Sequence, residues 1–70
     1  MNIQEALRQY AREDLSIARD QGEMAICETK IGTIFVSYEA SSNSFRINQK
    51  TMTEEQAVEF IANNFVIMEE

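Results

Sequence analysis

Apolar residues recur at intervals of three and four through the first twenty positions of the chain. They are Ile3, Leu7, Tyr10, Ala11, Leu15 and Ala18. This spacing places them in one stripe along a helix. Asn2 followed three residues later by Glu5 is a capping-box pattern, and Gly22 can adopt the left-handed conformation that ends a helix. The pattern therefore predicts a first helix over 3–20.

From Glu23 onwards the period changes to two, which is typical of strands. Three strands are predicted, over 23–30, 33–40 and 44–49, with a turn at Gly32 and a second turn within 41–44. The expected inner face consists of Met24, Ile26, Ile34, Val36, Tyr38, Phe45 and Ile47. Phe35 falls on the opposite, outer face.

A second helix is indicated after residue 52. Thr53 and Gln56 form another capping box, and Glu54 and Glu55 lie in the first turn, where the helix dipole favours anions. The residues expected on one face are Ala57, Phe60, Ile61 and Asn64. The segment 65–68 is apolar and partly β-branched, and it fits either a last helical turn or a short strand.

The predicted order is α-β-β-β-α in a single domain, 1–70. We expect a two-layer α+β fold in which a three-stranded antiparallel meander carries both helices on one face. This order resembles that of double-stranded-RNA-binding domains, which place a lysine cluster at the start of the last helix to hold phosphates. Here that position reads Thr53-Glu54-Glu55-Gln56. The resemblance therefore implies a topology and does not imply RNA binding.

Composition limits how a chain of 70 residues can stabilise itself. A domain of this size buries only about 60% of its unfolded surface. It has one cysteine, Cys27, and no histidine, so an intramolecular disulfide or a metal site built on His or Cys is excluded. Self-association is the remaining way to bury more surface, and we expect a homodimer on this ground.

Catalytic constellations are missing from the sequence. Cys27 lies in a predicted strand without a histidine to activate it, and we expect it to be a partly buried apolar residue. Two glycines in total exclude phosphate-binding and dinucleotide-binding loops. Adjacent carboxylates such as Glu54 and Glu55 are typical of a solvated helix face. We therefore expect no enzyme activity, cofactor or metal.

The net charge of −6 is unevenly distributed. Residues 1–50 hold seven acids and six bases, whereas 51–70 hold five acids and no base. This balance argues against direct nucleic-acid binding and against docking on anionic membranes. The first residues lack a basic stretch followed by an apolar segment. With the lone thiol, this favours a cytoplasmic location.

Two functional hypotheses follow. The leading one is a non-enzymatic accessory protein that binds another protein or itself through Phe35 and the apolar segment containing Phe65 and Ile67. That segment could equally cover the end of the core. The alternative is an acidic mimic of nucleic acid, similar in size and charge to small phage inhibitors. Its surface would consist of Glu54, Glu55, Glu59, Glu69 and Glu70. These acids could instead serve only the helix dipole and solubility.

Overall fold

The computed structural model describes residues 2–66, apart from the side chain of Glu28. Its elements are α1 (Ile3–Gln21), β1 (Glu23–Thr29), β2 (Gly32–Glu39), β3 (Ser44–Ile47), β4 (Lys50–Met52) and α2 (Glu54–Asn64). The α+β class is confirmed. The prediction of three strands is wrong, because the order is α-β-β-β-β-α.

Helix α1 begins and ends where its caps predict. The side chain of Asn2 accepts a hydrogen bond from the backbone N–H of Glu5, at 2.9 Å. Gly22 has a φ of 91° and donates its N–H to the carbonyl of Ala18 at 2.7 Å. This left-handed residue turns the chain directly into β1.

The four strands form an antiparallel sheet in the order β1-β2-β3-β4. The predicted inner face is confirmed by burial. Ile26, Ile34, Val36, Phe45 and Ile47 are buried, and Met24 and Tyr38 are partly buried against them. Successive strand residues point to opposite faces, so one face of the sheet collects the apolar side chains.

The extra strand belongs to a hairpin that the sequence pattern does not predict. Ile47 pairs with Lys50, which leaves two loop residues, Asn48 and Gln49. Their φ angles are 48° and 72°, the geometry of a type I′ turn. Such turns usually carry glycine at the second position, and the predicted strand 44–49 runs through this one because Gln49 occupies that position.

Both helices pack on the inner face of the sheet. Helix α1 lies against β1 and β2, α2 lies against β3 and β4, and the helices contact each other. Thr53 and Gln56 form the predicted capping box. The buried face of α2 differs from the predicted one, because Val58 and Ala62 are buried with Ala57 and Ile61, whereas Phe60 and Asn64 are only partly buried.

This one-sided arrangement corrects one further prediction. Cys27 is exposed, so the expectation that it is partly buried is wrong; neither helix lies over its side of β1.

Helix α2 ends at Asn64, and Phe65 is extended, with φ −67° and ψ 139°. Ile67, Met68, Glu69 and Glu70 lie outside the described residues. Within the described part of the chain, no helix is long and apolar enough to cross a membrane.

Replacing Gln49 by glycine is expected to stabilise the fold. A side chain in the left-handed region costs about 1–2 kcal/mol, and part of this gain is offset by the larger backbone entropy of glycine. We expect the free energy of unfolding to rise by about 0.5–1 kcal/mol in urea denaturation. Asn48→Gly is the matched control. It should give no gain, because asparagine tolerates this conformation and its side chain bonds β2. A destabilised Gln49→Gly variant would contradict the turn geometry.

Candidate interaction surfaces

Two glutamates of α2 are paired with arginines of α1. Arg19 forms an ion pair with Glu54, and Arg8 bonds Glu59 with Nε and Oε1 2.7 Å apart. Because the lower-numbered arginine meets the higher-numbered glutamate, the two helices run antiparallel. The two pairs bridge the seam between the helices.

Arg19 also reaches the aromatic part of the core. The centre of its guanidinium lies 5.5 Å from the ring centroids of both Tyr38 and Phe45, within range of a cation–π interaction. The two rings are themselves tilted neighbours, with centroids 5.2 Å apart. The hydrogen bond to Glu54 is the main cause that raises the pKa of Arg19. One side chain therefore links α1, α2, β2 and β3.

These contacts bear on the acidic surface predicted from the sequence. Two of its described carboxylates, Glu54 and Glu59, are turned towards arginines rather than arranged as a free row of anions. Glu55 lines a shallow depression beside Arg12. The other two of its five residues, Glu69 and Glu70, lie outside the described residues.

Phe35 occupies the outer face of the sheet and is 62% exposed. Its cross-strand neighbour on β1 is Ala25, which is too small to cover it. Two residues further along β2, on the same face, Ser37 pairs with Glu23 of β1 and with Arg46 of β3. This outer face therefore presents one large aromatic ring among small side chains, with an acid and a base beside it.

A groove of about 470 Å³ opens beside Phe35 and is lined by Ser37, Arg46, Asn48 and Gln49. Asn48, in the wall of this groove, is hydrogen-bonded to β2. Its side-chain oxygen accepts from the N–H of Phe35 at 3.1 Å, and its N–H donates to the carbonyl of Phe35 at 3.1 Å. Both backbone polar groups of Phe35 are thus hydrogen-bonded to Asn48, which fixes the backbone that carries the ring.

Phe65 lies apart from Phe35. It is partly buried against the core and lines a small depression with Leu7, Lys30 and Ala62 near the end of α2. The sheet separates it from the outer face. Of the two predicted contact residues Phe35 and Phe65, Phe35 is the exposed one. Ile67 is not among the described residues.

A second apolar surface was missed by the sequence pattern. Ile3, Tyr10 and Ile17 are 56%, 59% and 42% exposed, respectively, although Ile3 and Tyr10 belong to the stripe predicted to face the core. The buried positions of α1 are Ala11, Leu15 and Ala18. The signal for the second stripe is the spacing of seven residues, which aligns side chains along a helix. We call Ile3, Tyr10 and Ile17 the flank stripe.

Reactive groups are sparse among the described residues. No three His, Cys, Asp or Glu side chains within 2–66 are grouped so that they could hold a metal. The pKa of Asp14 is raised by its partial burial and by the neighbouring charge of Glu13. Asp14 lies on α1 and does not belong to the surfaces described above. These surfaces can recognise a partner by shape, apolar contact and charge.

No protein-family model, curated protein or solved structure matches the chain.

The Arg8–Glu59 pair provides a test of how the acidic helix is used. A double-mutant cycle with Arg8→Gln and Glu59→Gln should give a coupling energy of about 0.5 kcal/mol in urea denaturation, because the pair is partly exposed. Concentrated salt should reduce the coupling. A cycle between Arg8 and Glu55 is the control and should give none. Zero coupling for Arg8 and Glu59 would contradict the pairing and leave Glu59 free for an external partner.

Proposed function

We propose that the chain is a non-enzymatic protein that acts by binding another protein through the outer face of its sheet. The observation that carries the proposal is the exposure of Phe35 beside a groove whose backbone is fixed by Asn48. Buried aromatic anchors contribute disproportionately to binding energy at protein interfaces. Here the backbone of the anchor, Phe35, is held by Asn48 in the absence of a partner.

The surroundings of Phe35 favour a partner over a merely solvated face. A strand face that only meets water has no need of a phenylalanine at its centre, although single exposed apolar residues do occur. Ala25 and Ser37 keep the ring accessible, and the groove is wide enough to receive a side chain. Because β2 is paired on both sides, little conformational entropy is lost when the ring is covered.

Charge defines the chemistry of the partner. Arg46 lines the groove and is exposed, and neither of the two ion pairs found among the described side chains includes it. The fitting partner presents an apolar side chain to Phe35 and a carboxylate or carbonyl oxygen to Arg46. A single free thiol, Cys27, suits the reducing cytoplasm, where we place this interaction.

Mimicry of nucleic acid has less support. A phosphate mimic needs a row of uncompensated anions, whereas Glu54 and Glu59 are engaged by Arg19 and Arg8. Glu54 and Glu55 also lie in the first turn of α2, where the helix dipole favours anions. The two functions differ in salt dependence, since apolar docking persists in salt near 1 M and charge mimicry is screened there.

Comparative affinity capture tests the proposal. The wild-type chain, Phe35→Glu and Ile31→Glu are immobilised, and proteins captured from cytoplasmic extract are quantified by mass spectrometry. We expect at least one protein to bind wild type and Ile31→Glu at high salt and to be lost with Phe35→Glu. Ile31 is a matched control because it is also large, apolar and exposed, but lies in the β1–β2 turn.

The opposite pattern would overturn the outer-face proposal. If the captured protein stays with Phe35→Glu and is lost with Glu55→Lys or in high salt, the acidic surface is the binding surface. Circular dichroism of each variant verifies that the fold is retained.

A further inference from the structure

We propose that two copies of the chain form a homodimer by antiparallel pairing of their β1 strands, with their flank stripes packed against each other above the joined sheet. The partner is a second copy, and the interface is separate from the Phe35 groove. This proposal can therefore fail or succeed without deciding the function of the outer face.

The flank stripe lies on the side of α1 that overlooks the edge of the sheet. Arg8 and Arg19 project towards α2. At 100° per residue, Ile3, Tyr10 and Ile17 lie on the opposite side of the α1 axis. Since α1 packs on β1 and β2, and α2 packs on β3 and β4, the side away from α2 is the side of β1.

Strand β1 offers a matching edge. Among the described residues it pairs only with β2, so its other side presents backbone N–H and C=O groups that a further strand can use. The stripe from Ile3 to Ile17 is about 21 Å long. The seven residues of β1, whose register with β2 shifts between Ile26 and Thr29, extend at most about 23 Å. The apolar stripe and the strand edge are therefore of similar length and lie side by side.

The spacing between elements also suits a second copy. Neighbouring strands lie about 4.8 Å apart. A helix seated between β1 and β2 would lie about 10 Å from its symmetry mate when two β1 edges pair, and packed helices are about 8–10 Å apart. In this arrangement Tyr10 lies near the two-fold axis, and Ile3 of each copy lies near Ile17 of the other.

The charges at the two ends of β1 select an antiparallel pairing. Glu23 begins the strand and exposed Lys30 follows its end. A two-fold axis perpendicular to the sheet brings Glu23 of each copy near Lys30 of the other, whereas parallel pairing would bring like charges together. Because edge-strand pairing is otherwise nonspecific, these charges help to fix its direction.

The dimer would have one continuous eight-stranded sheet with all four helices on one side. Both Phe35 rings would then stand on the same open face. This doubles the binding sites available to a partner and gives a bivalent partner an effective-concentration advantage. It also supplies burial that a domain of 70 residues lacks.

Sedimentation equilibrium of the full chain over a range of concentrations tests the dimer. We expect wild type to be a dimer and Tyr10→Glu to raise the dimer dissociation constant at least about 30-fold, since it places two carboxylates near the axis. Gln9→Glu is the matched control. It adds the same charge at a neighbouring exposed position of α1 and should leave the dimer intact, as should Phe35→Glu.

A charge-exchange series tests the direction of pairing. Glu23→Lys and Lys30→Glu should each weaken the dimer roughly tenfold at low salt, and the double variant should recover most of the loss. Amide hydrogen exchange gives a second readout, because outward amides of β1 should be protected in wild type and exchange faster in Tyr10→Glu.

Three results would overturn the proposal: a wild-type monomer at all concentrations, a dimer insensitive to Tyr10→Glu, or a double charge variant no stronger than the single ones. In the first case, a dimer that forms only after residues 67–70 are removed would assign the β1 edge to that segment.

Discussion

The rest of the molecule depends on the confinement of apolar side chains to one face of the sheet. Ile34, Phe45 and Ile47 point to this face and are completely or almost completely buried. Burying a side chain of this size stabilises a fold by about 1.5–3 kcal/mol. Both helices lie on that face, because among the described strand residues Phe35 is the one large apolar side chain on the other face. The same constraint leaves the outer face and the edge of β1 uncovered by helices.

The seam between the helices shows how charge is used within this layer. Two arginines of α1 meet two glutamates of α2 across it, while Arg19 also lies over the rings of Tyr38 and Phe45. Two of the three glutamates of α2, Glu54 and Glu59, are thus paired within the chain. For this reason we assign the proposed binding of other chains to the exposed apolar surfaces, the Phe35 groove and the flank stripe.

The sequence predicted what local chemistry determines: both N-caps, the end of α1 at Gly22 and the inner face of the sheet. It failed where tertiary context decides. β4 has three residues, too few for a periodic signal, and its turn uses Gln49 where glycine is usual. Tyr10 fits the core spacing of α1, yet it is exposed because no described element covers that side. Phe35 could be assigned to the outer face by alternation, but its groove depends on the unforeseen hairpin.

The reactivity of Cys27 tests one-sided coverage most directly, because this thiol lies on β1 and is exposed. Its modification by a small aromatic disulfide reagent can be timed in native and urea-unfolded protein. Coverage of the inner face alone predicts that the native thiol reacts nearly as fast as the unfolded one. A native thiol that reacts orders of magnitude more slowly, at the rate of global unfolding, would contradict an open outer face.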